Sequence, residues 1–387
     1  MGFFSIYKMK IHPKSIVSFS LFLITLAVNI AMPLFRPYAE NDGLNNGQTS
    51  LVLATYILGM LPCYIFLGGI SDKLGRKPVL LFSLVLAFCS TLIITIFPSV
   101  IALIFSRFFQ GVALALSMGT GTAYIAELLK TDPKSSVKAA NATSMATAIG
   151  FSGGAFMTSI ALLIHFSLTP ITYFIALFIT AIGIILAFFL PAIPPIGGSL
   201  VRLPYFPKGY FPVNLSIAIC WASTGVVIAI IPSQLALFNL TPYAGFCLVL
   251  INWTGAFLQP FVRKYFQPKT SLKLGFLLIP LGFSLVILGC YLGQLAIVLT
   301  GTALIGSAAY GFSYQGGLAI IADLGGVQKA RSISGYMFFG YIGFGIPAIF
   351  LGYLADWIGI IQALIFFELV IVMLSAYLYI TFDKSTD

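Results

Sequence analysis

Long apolar runs follow one another along almost the whole chain, separated by short polar turns. Hydrophobic residues make up 59% of the 387 residues and charged residues only 8%, and the mean hydropathy is +1.05. A run of about 20 apolar residues crosses the hydrocarbon core of a bilayer as a helix, because a helix satisfies its own backbone hydrogen bonds there. The sequence therefore predicts an all-α membrane protein.

Twelve runs have the length of a membrane-spanning helix, and we place them at residues 15–37, 50–71, 79–97, 100–126, 139–164, 170–190, 212–237, 242–262, 272–292, 295–322, 332–355 and 360–382. Residues 191–211 contain five prolines and three glycines, which prevent a continuous helix. The fourth run ends in Ala-Glu-Leu and the tenth in Ala-Asp-Leu, as in a repeated unit. We predict two pseudo-symmetric six-helix bundles, 1–190 and 212–387, joined by a cytoplasmic linker, 191–211.

The charges predict which side of the membrane each loop occupies. Eighteen of the 20 Lys and Arg residues fall in loops and ends on one side, whereas the first loop on the other side carries Glu40 and Asp42. The positive-inside rule assigns the basic side to the cytoplasm, so we expect both termini there and no cleaved signal peptide. This topology and anionic lipid headgroups explain the net charge of +10 without a nucleic-acid partner.

The turn between the second and third runs holds four charges and three glycines within residues 68–78. It resembles the signature Gly-x-x-x-Asp-(Arg/Lys)-x-Gly-(Arg/Lys)-(Arg/Lys) of the major facilitator superfamily, with matches at Gly68, Asp72, Lys73, Gly75, Arg76 and Lys77. An ordinary basic cytoplasmic turn would explain the lysines but neither the glycines nor the aspartate. The resemblance implies the twelve-helix fold of that superfamily.

The same resemblance implies a conformational latch on the inner side, formed by these six loop residues together with Glu127, Asp323 and Arg331. In the family, such charge clusters hold the two halves together and separate during transport. Glu127 and Asp323 lie at predicted helix C-termini, where a negative charge opposes the helix dipole, so each is expected to have a basic partner. The alternative is ordinary dipole and solvation chemistry.

An arginine lies inside the fourth run, in the segment Arg107-Phe108-Phe109-Gln110-Gly111. Placing it in a membrane helix costs roughly 2.5–3.5 kcal/mol on insertion scales, so a partner or a wet cavity must compensate. The segment resembles the family's Arg-x-x-Gln-Gly pattern, whose arginine faces the transport cavity. The resemblance places Arg107 and Gln110 in the substrate or proton pathway. The alternative is a structural arginine that bonds helix carbonyls.

Two other charged residues lie in or beside apolar runs. Arg36, at the outer end of the first run, would favour a carboxylate or phosphate substrate if it shared a cavity with Arg107. Its alternative role is to snorkel to the outer interface. Glu368 is the one carboxylate well inside an apolar run, where a glutamate is suited to carry a proton. Its alternative role is packing at the periphery of the bundle.

Polar and aromatic residues are expected to line a cavity, although helix packing is the alternative for each aromatic residue. Besides Gln110, they are Asn29, Trp221, Asn252, Trp253, Tyr310, Tyr314 and Gln315. Glycines of the fifth and eleventh runs predict pliable, closely packed helices, and they are Gly150, Gly153, Gly154, Gly343 and Gly345. The fifth run is similar to the Gly-Pro-x-x-Gly-Gly element of the family's exporters, but it has Ile149 for the first glycine and lacks the proline.

Together the resemblances cover nearly the whole chain and imply a secondary transporter that works by alternating access, without a cofactor. The motifs are most similar to those of drug/proton antiporter-like exporters. We therefore expect proton-coupled export of a small anionic or zwitterionic organic solute across a bacterial inner membrane, by a protein that can act as a monomer. The alternatives are an importer or exchanger of a carboxylate metabolite or carboxylate siderophore, a passive facilitator, and a membrane sensor.

An enzyme is not expected from this sequence. His12 and His165 fall near opposite faces of the membrane, and neither lies in a catalytic motif. The five cysteines all lie in apolar runs without paired spacing, which is typical of small core residues and not of metal ligands or disulfides.

Overall fold

The computed structural model describes residues 12–197, 199–201 and 203–384, and these residues are helical with no strand. The helices are α1 Pro13–Asn29, α2 Phe35–Asn41, α3 Asn46–Phe66, α4 Ile70–Leu74, α5 Arg76–Ile96, α6 Val100–Leu128, α7 Ser135–Ile164, α8 Ile171–Phe188, α9 Tyr210–Leu237, α10 Ala244–Tyr265, α11 Pro268–Leu292, α12 Leu295–Gly306, α13 Tyr314–Gly325, α14 Lys329–Ile358 and α15 Ile360–Lys384. The all-α prediction is confirmed. The predicted cytoplasmic N-terminal segment lies largely outside the described residues, as does Arg202 of the linker.

Eleven stretches of the described chain are long and apolar enough to cross a membrane. One of them, Leu295–Ile358, has 64 residues and contains α12, α13 and α14. At about 1.5 Å per residue it is roughly three times as long as a bilayer core of about 30 Å, and a 3₁₀ turn at Gly326–Gln328 divides it. It therefore accounts for two crossings, and the protein is a multi-pass membrane protein with the predicted number of spans.

The first predicted run is not one helix. Helix α1 ends at Asn29, a 3₁₀ turn follows at Met32–Leu34, and α2 continues to Asn41. Pro33 lies in that turn; it has no backbone N–H to continue the α-helical ladder, and its ring clashes with the preceding turn. The break leaves carbonyl groups at the end of α1 that need partners from other helices.

Contacts divide the described residues into two compact units. The first unit contains α1, Leu58–Gly154 and the chain from Thr169 to residue 201, and the second contains Ala31–Ile57, Ala155–Leu168 and the chain from Leu203 onward. The second unit therefore includes the predicted outer ends of the first, second and fifth spans. The division into bundles at 1–190 and 212–387 stays a prediction.

The core of the first unit surrounds α1. Leu21 and Ile24 of α1 pack with Leu84 of α5 and Ala113 of α6, and all four are buried. Tyr124 of α6, also buried there, donates its O–H to the carbonyl oxygen of Pro191 at 2.5 Å. The start of the linker is thus fixed to the end of the fourth span.

Candidate functional site

Three aromatic rings meet within the second unit. The ring of Trp221 on α9 lies 6.0 Å from that of Tyr310 and 4.9 Å from that of Tyr341 on α14, measured between centroids. The second pair is edge-to-face at 74°, a geometry that suits the quadrupoles of the two rings. Trp221 and Tyr310 were predicted from the sequence to line a cavity, and the structure places them side by side. Tyr341 was not predicted.

Buried polar groups without partners accompany this aromatic cluster on α9. Both side-chain polar atoms of Asn214, which is fully buried, and Nε1 of Trp221 find no hydrogen-bond partner among the described residues. Asn214 and Trp221 are seven positions apart, so they lie two turns apart on one face of the helix. Unsatisfied buried polar groups are rare in folded proteins, and a bound solute is one way to satisfy them.

Tyr310 is carried by a π-helix, Ser307–Ser313, that joins α12 to α13. This segment packs closely on α10, where a Cβ added to Gly255 would overlap Cβ of Tyr310. Gln259 of α10 donates from Nε2 to the carbonyl oxygen of Tyr310 at 3.3 Å. π-Helical segments are rare and occur often at functional sites, so the local backbone supports a functional role for this cluster.

For the other predicted lining residues of the second unit, the structure gives different contacts. Tyr314 is 6.5 Å from the ring of Tyr336, and Asn252 donates from Nδ2 to the carbonyl oxygen of Leu248 in its own helix. Trp253 is 36% exposed and packs edge-to-face on Phe257. Gln315 is half-buried. The structure therefore shows no ring contact between Trp253 and the Trp221 cluster among the described residues.

Arg107 is buried in the first unit, with only 1% of its surface exposed. Its Nη1 donates to the carbonyl oxygen of Val28 at 2.5 Å and to Oε1 of Gln110 at 3.0 Å. Gln110 donates from Nε2 to the carbonyl oxygen of Ala27 at 2.8 Å. These carbonyls belong to the last turn of α1, where orphan acceptors and the negative end of the dipole favour a cation. These contacts match the alternative role, in which Arg107 is structural and bonds helix carbonyls. A role of Arg107 in the transport pathway stays a prediction.

Asn29, the last residue of α1, donates from Nδ2 to the carbonyl oxygen of Phe151 on α7 at 3.0 Å. The break in the first span is therefore held from two sides, by the Arg107 and Gln110 pair on α6 and by α7.

Arg36 has an acidic partner at the predicted outer end of the second unit. Its Nε lies 2.7 Å from Oε1 of Glu40, one helical turn away on α2. Its Nη1 donates to Oδ1 of Asn46 at 3.4 Å. The contacts seen for Arg36 therefore do not support an electropositive substrate pathway.

Glu368 lies where α15 packs on α11. Its Oε1 accepts a hydrogen bond from the hydroxyl of Ser284 at 2.8 Å, and its Oε2 is buried without a partner among the described residues. The structure thus places this carboxyl group in a helix pair of the second unit. A role as proton carrier stays a prediction.

The loop signature builds a charge cluster inside the first unit. Arg76 is buried, and its guanidinium contacts Oδ1 of Asp72 at 2.5 Å and Oε1 of Glu127 at 2.8 Å. It also donates to the hydroxyl of Ser71 at 2.7 Å. Glu127 at the C-terminal end of α6 therefore has a basic partner, as the dipole argument requires.

The other predicted latch residues have separate contacts. Lys77 donates to the carbonyl oxygen of Phe188 at 2.7 Å, and Gly75 adopts a φ of +94° between α4 and α5, a conformation that favours glycine. Arg331 donates from Nε to the carbonyl oxygen of Leu203 at 2.8 Å, whereas Asp323 is exposed and forms no ion pair among the described residues. Gly68 and Lys73 lie in the same turn, and latch function stays a prediction for all of these residues.

Asp356, near the C-terminal end of α14, was not predicted from the sequence. Its Oδ1 accepts from the backbone N–H of Asn46 at 2.9 Å and from Nδ2 of the same residue at 2.8 Å. Its Oδ2 accepts from the backbone N–H of Gly47 at 2.8 Å. A carboxylate at a helix C-terminus was the signal that singled out Glu127 and Asp323, and the same signal is present at Asp356.

A second contact of this kind joins α7 to α10. The hydroxyl oxygen of Ser159 accepts from the backbone N–H of Gly245 at 3.1 Å, and a Cβ on Gly245 would crowd the carbonyl oxygen of Ala155 at 2.5 Å. The predicted outer ends of the second, fifth, eighth and eleventh spans are therefore packed together within the second unit.

Four of the five predicted hinge glycines lie at close helix contacts. An added Cβ would overlap Thr25 at Gly150, the carbonyl oxygen of Leu26 at Gly154, and the carbonyl oxygen of Ala218 at Gly343. At Gly345 it would lie 2.6 Å from the flexible side chain of Ile57, whereas at Gly153 the nearest atom is 3.9 Å away. Close packing is thus seen directly, and hinge motion stays a prediction.

Comparison with known proteins agrees with the multi-pass helical fold. Residues 17–204 match the Major Facilitator Superfamily. An "Uncharacterized transporter" of Buchnera aphidicola subsp. Schizaphis graminum is 24% identical over 378 residues, which cover 92% of this chain and 88% of the relative. The "Quinolone resistance protein NorA" of Staphylococcus aureus is 26% identical over 113 residues, 29% of each chain.

A solved structure of the nucleoside transporter NupG has the same fold, with a TM-score of 0.73 at 14% identity. The match covers 97% of this chain and 100% of that one. This family and fold are those of transporters and not of enzymes. Taken with the loop signature and the spans, these similarities show that residues 17–204, just under half of the chain, belong to the Major Facilitator Superfamily and that the protein is a transporter.

Proposed function

We propose that this protein exports a small, ring-bearing organic solute across the bacterial inner membrane by proton-coupled alternating access. The observation that carries the substrate class is the cluster of Trp221, Tyr310 and Tyr341, with the unpartnered polar atoms of Asn214 two turns away on the same face of α9. Aromatic side chains bind planar rings through stacked or edge-to-face contacts. The indole N–H and the amide would supply hydrogen bonds that fix the ring's orientation.

The contacts of the two arginines support a solute without a net negative charge. An anionic substrate was expected if Arg36 and Arg107 faced one cavity, but Arg36 pairs with Glu40, and Arg107 donates to the carbonyl oxygen of Val28 in α1. The aromatic cluster contains no ionised group. We therefore propose a neutral or zwitterionic solute in place of an anion.

Export is supported by the partial similarity to a quinolone resistance protein, because removing a compound from the cell is one way in which a transporter gives resistance. Proton coupling is supported by Glu368, whose Oε2 is buried without a partner among the described residues. Such a group favours its neutral, protonated form, so it is suited to take up and release a proton as its surroundings change.

The test is counterflow in proteoliposomes that contain the purified protein, with and without a pH gradient. Nucleosides and quinolones should compete for transport, whereas acyclic mono- and dicarboxylates should not. Replacement of Trp221 by Leu should weaken transport of a ring compound by about two- to tenfold, since an aromatic pair contributes about 0.5–1.5 kcal/mol. Trp221→Phe, which keeps a ring but removes Nε1–H, should have a smaller effect.

Trp253→Leu is the matched control, because Trp253 packs on Phe257 in the same unit. Equal losses in the Trp221 and Trp253 variants, or strong competition by acyclic carboxylates, would contradict the proposed site. Failure of an imposed pH gradient to drive accumulation of the solute would remove the coupling and leave a passive facilitator.

A further inference from the structure

A cavity lies in the first unit, at the end of the helices that carries the basic loops. It has a volume of about 410 Å³ and is formed by the start of α1, the end of α6 and the start of α7. Its polar lining includes Lys14 and Ser18 of α1 and Lys138 and Asn141 of α7. Ile125 of α6 and Leu129, the residue that follows this helix, give it an apolar side. None of these residues belongs to the aromatic cluster described above.

The electrostatics of this cavity favour an anion. Two lysines are among its lining residues, and one neighbouring carboxylate, Asp132, forms an ion pair with Lys138. The hydrogen bond from Lys138, the backbone N–H of Lys134 and the charge of Lys14 lower the pKa of Asp132. Lys14, Lys138 and Asp132 therefore lie close together, and these three groups carry a net charge of +1.

Two helices begin at this cavity. Helix α1 starts at Pro13 and has no side-chain cap, and α7 starts at Ser135. The N-terminal ends of helices carry unsatisfied N–H groups and a partial positive charge. These partial charges add to the electric field of the two lysines. The site as a whole therefore favours an anion with a single negative charge.

The position along the helices indicates a lipid. The apolar run of α1 begins at Ile16, so Lys14 lies at the level where headgroups meet hydrocarbon. On α7 the face that carries Lys138 and Asn141 continues one turn further to Met145, which is 69% exposed. An amphipathic ligand would thus find basic and hydroxyl groups at one end and an apolar surface at the other.

We propose that this cavity binds an anionic phospholipid of the phosphatidylglycerol type, with its phosphodiester between Lys14 and Lys138. The single negative charge of a phosphodiester matches the net charge of the site. Asn141 and Ser18 can hydrogen-bond uncharged headgroup hydroxyls, whereas the ammonium of a zwitterionic lipid would be repelled by the lysines. Basic pockets between spans on the cytoplasmic side are suited to lipid headgroups of this charge.

The test is native mass spectrometry of the full-length protein in detergent, titrated with phosphatidylglycerol or phosphatidylethanolamine. The double variant Lys14→Gln/Lys138→Gln should bind phosphatidylglycerol about 30-fold more weakly, because a basic residue near the membrane surface contributes about 1 kcal/mol. The matched control is Lys130→Gln/Lys134→Gln. It removes the same charge from the neighbouring exposed loop, and should change binding by less than about fivefold.

Equal weakening by the two double variants would mean general attraction to a basic surface and would overturn the site. Equal binding of phosphatidylethanolamine would overturn the headgroup assignment. Displacement of phosphatidylglycerol by millimolar inorganic phosphate would show a free-anion site and overturn the lipid assignment. These outcomes do not depend on which solute the protein transports.

Discussion

The carboxylate of Asp356 accepts the backbone N–H of Gly47 at 2.8 Å, so the C-terminal end of α14 is fastened to the first turn of α3. The first N–H groups of a helix have no partner within the helix, and the positive end of the dipole favours an anion. The same carboxylate would be unfavourable at the end of α14 without such a partner. The contact therefore stabilises both helix ends at once.

We expect Asp356→Ala to open the predicted outer side of the second unit. A hydrogen bond to a charged group contributes about 1.5–3 kcal/mol, so the loss of even one shifts a two-state equilibrium at least about tenfold. The measurement is the labelling rate of Ala54→Cys, a buried position on α3, by a membrane-impermeant maleimide in whole cells. The rate should rise in the Asp356→Ala background.

The control for this experiment is Asp42→Ala, which removes a carboxylate from the first predicted outer loop, on the same side of the membrane as Asp356. It should leave the labelling of Ala54→Cys unchanged. Unchanged labelling in the Asp356→Ala protein would show that other contacts keep the outer side closed.

The contact between α14 and α3 and the contact between α7 and α10 occupy equivalent positions in the two repeated halves. Ser159 and Gly352 each follow a repeated glycine, Gly150 and Gly343, by nine residues. Gly352 packs on the hydroxyl of Ser50, as Gly245 packs on the hydroxyl of Ser159. Serine and glycine have thus exchanged places between the halves, and the carboxylate of Asp356 is present at one of the two contacts.

We expect Arg107→Ala to lower the thermal stability of the protein. The substitution leaves the carbonyl oxygen of Val28 and Oε1 of Gln110 without this donor, and each such buried group costs about 1–3 kcal/mol. The measurement is the Tm from fluorescence-detected size-exclusion chromatography. Arg36→Ala is the control, because the ion pair of Arg36 with Glu40 is exposed and contributes no more than about 1 kcal/mol. Equal Tm values for the two variants would contradict the structural role of Arg107.

The spans could be predicted because hydropathy records which residues face lipid. The predicted eleventh run, 332–355, lies inside α14, Lys329–Ile358, since a helix continues beyond the apolar part. The π-helix at Ser307–Ser313 could not be predicted, because it depends on close packing against Gly255 and not on a local pattern.

Residues of the candidate site could be predicted only where the residue type alone suggested that the side chain lines a cavity. Trp221 and Tyr310 stood out as aromatic residues in central spans, whereas Asn214 and Tyr341 have nothing local that marks them. The partners of Arg107 and Gln110 could not be predicted for another reason. The carbonyl oxygens of Ala27 and Val28 are available only because α1 ends at Asn29, and that break is a property of the folded chain.

Two neighbouring glycines allow a sharp test of helix packing. We expect Gly154→Ala to destabilise the protein by about 1–3 kcal/mol, as overpacking does, because its Cβ would overlap the carbonyl oxygen of Leu26. Gly153→Ala has open space around it and should be neutral or stabilising by up to about 1 kcal/mol, since Ala is the better helix former. The measurement is Tm together with transport rate. If both variants behave alike, the close approach of α7 to α1 is not what requires glycine.

Glu368 tests the proposed coupling. Replacement by Gln keeps an acceptor for the hydroxyl of Ser284 but removes the proton site, so counterflow of a ring compound should persist while accumulation driven by a pH gradient is lost. Ser284→Ala is the control, because it removes the hydrogen bond and leaves the acid in place, and it should keep gradient-driven accumulation. Both variants are read out in proteoliposomes with the gradient imposed and then collapsed by an ionophore. Gradient-driven accumulation in Glu368→Gln would assign this residue to the packing of α15 on α11, because a side chain that cannot release a proton cannot couple its movement to transport.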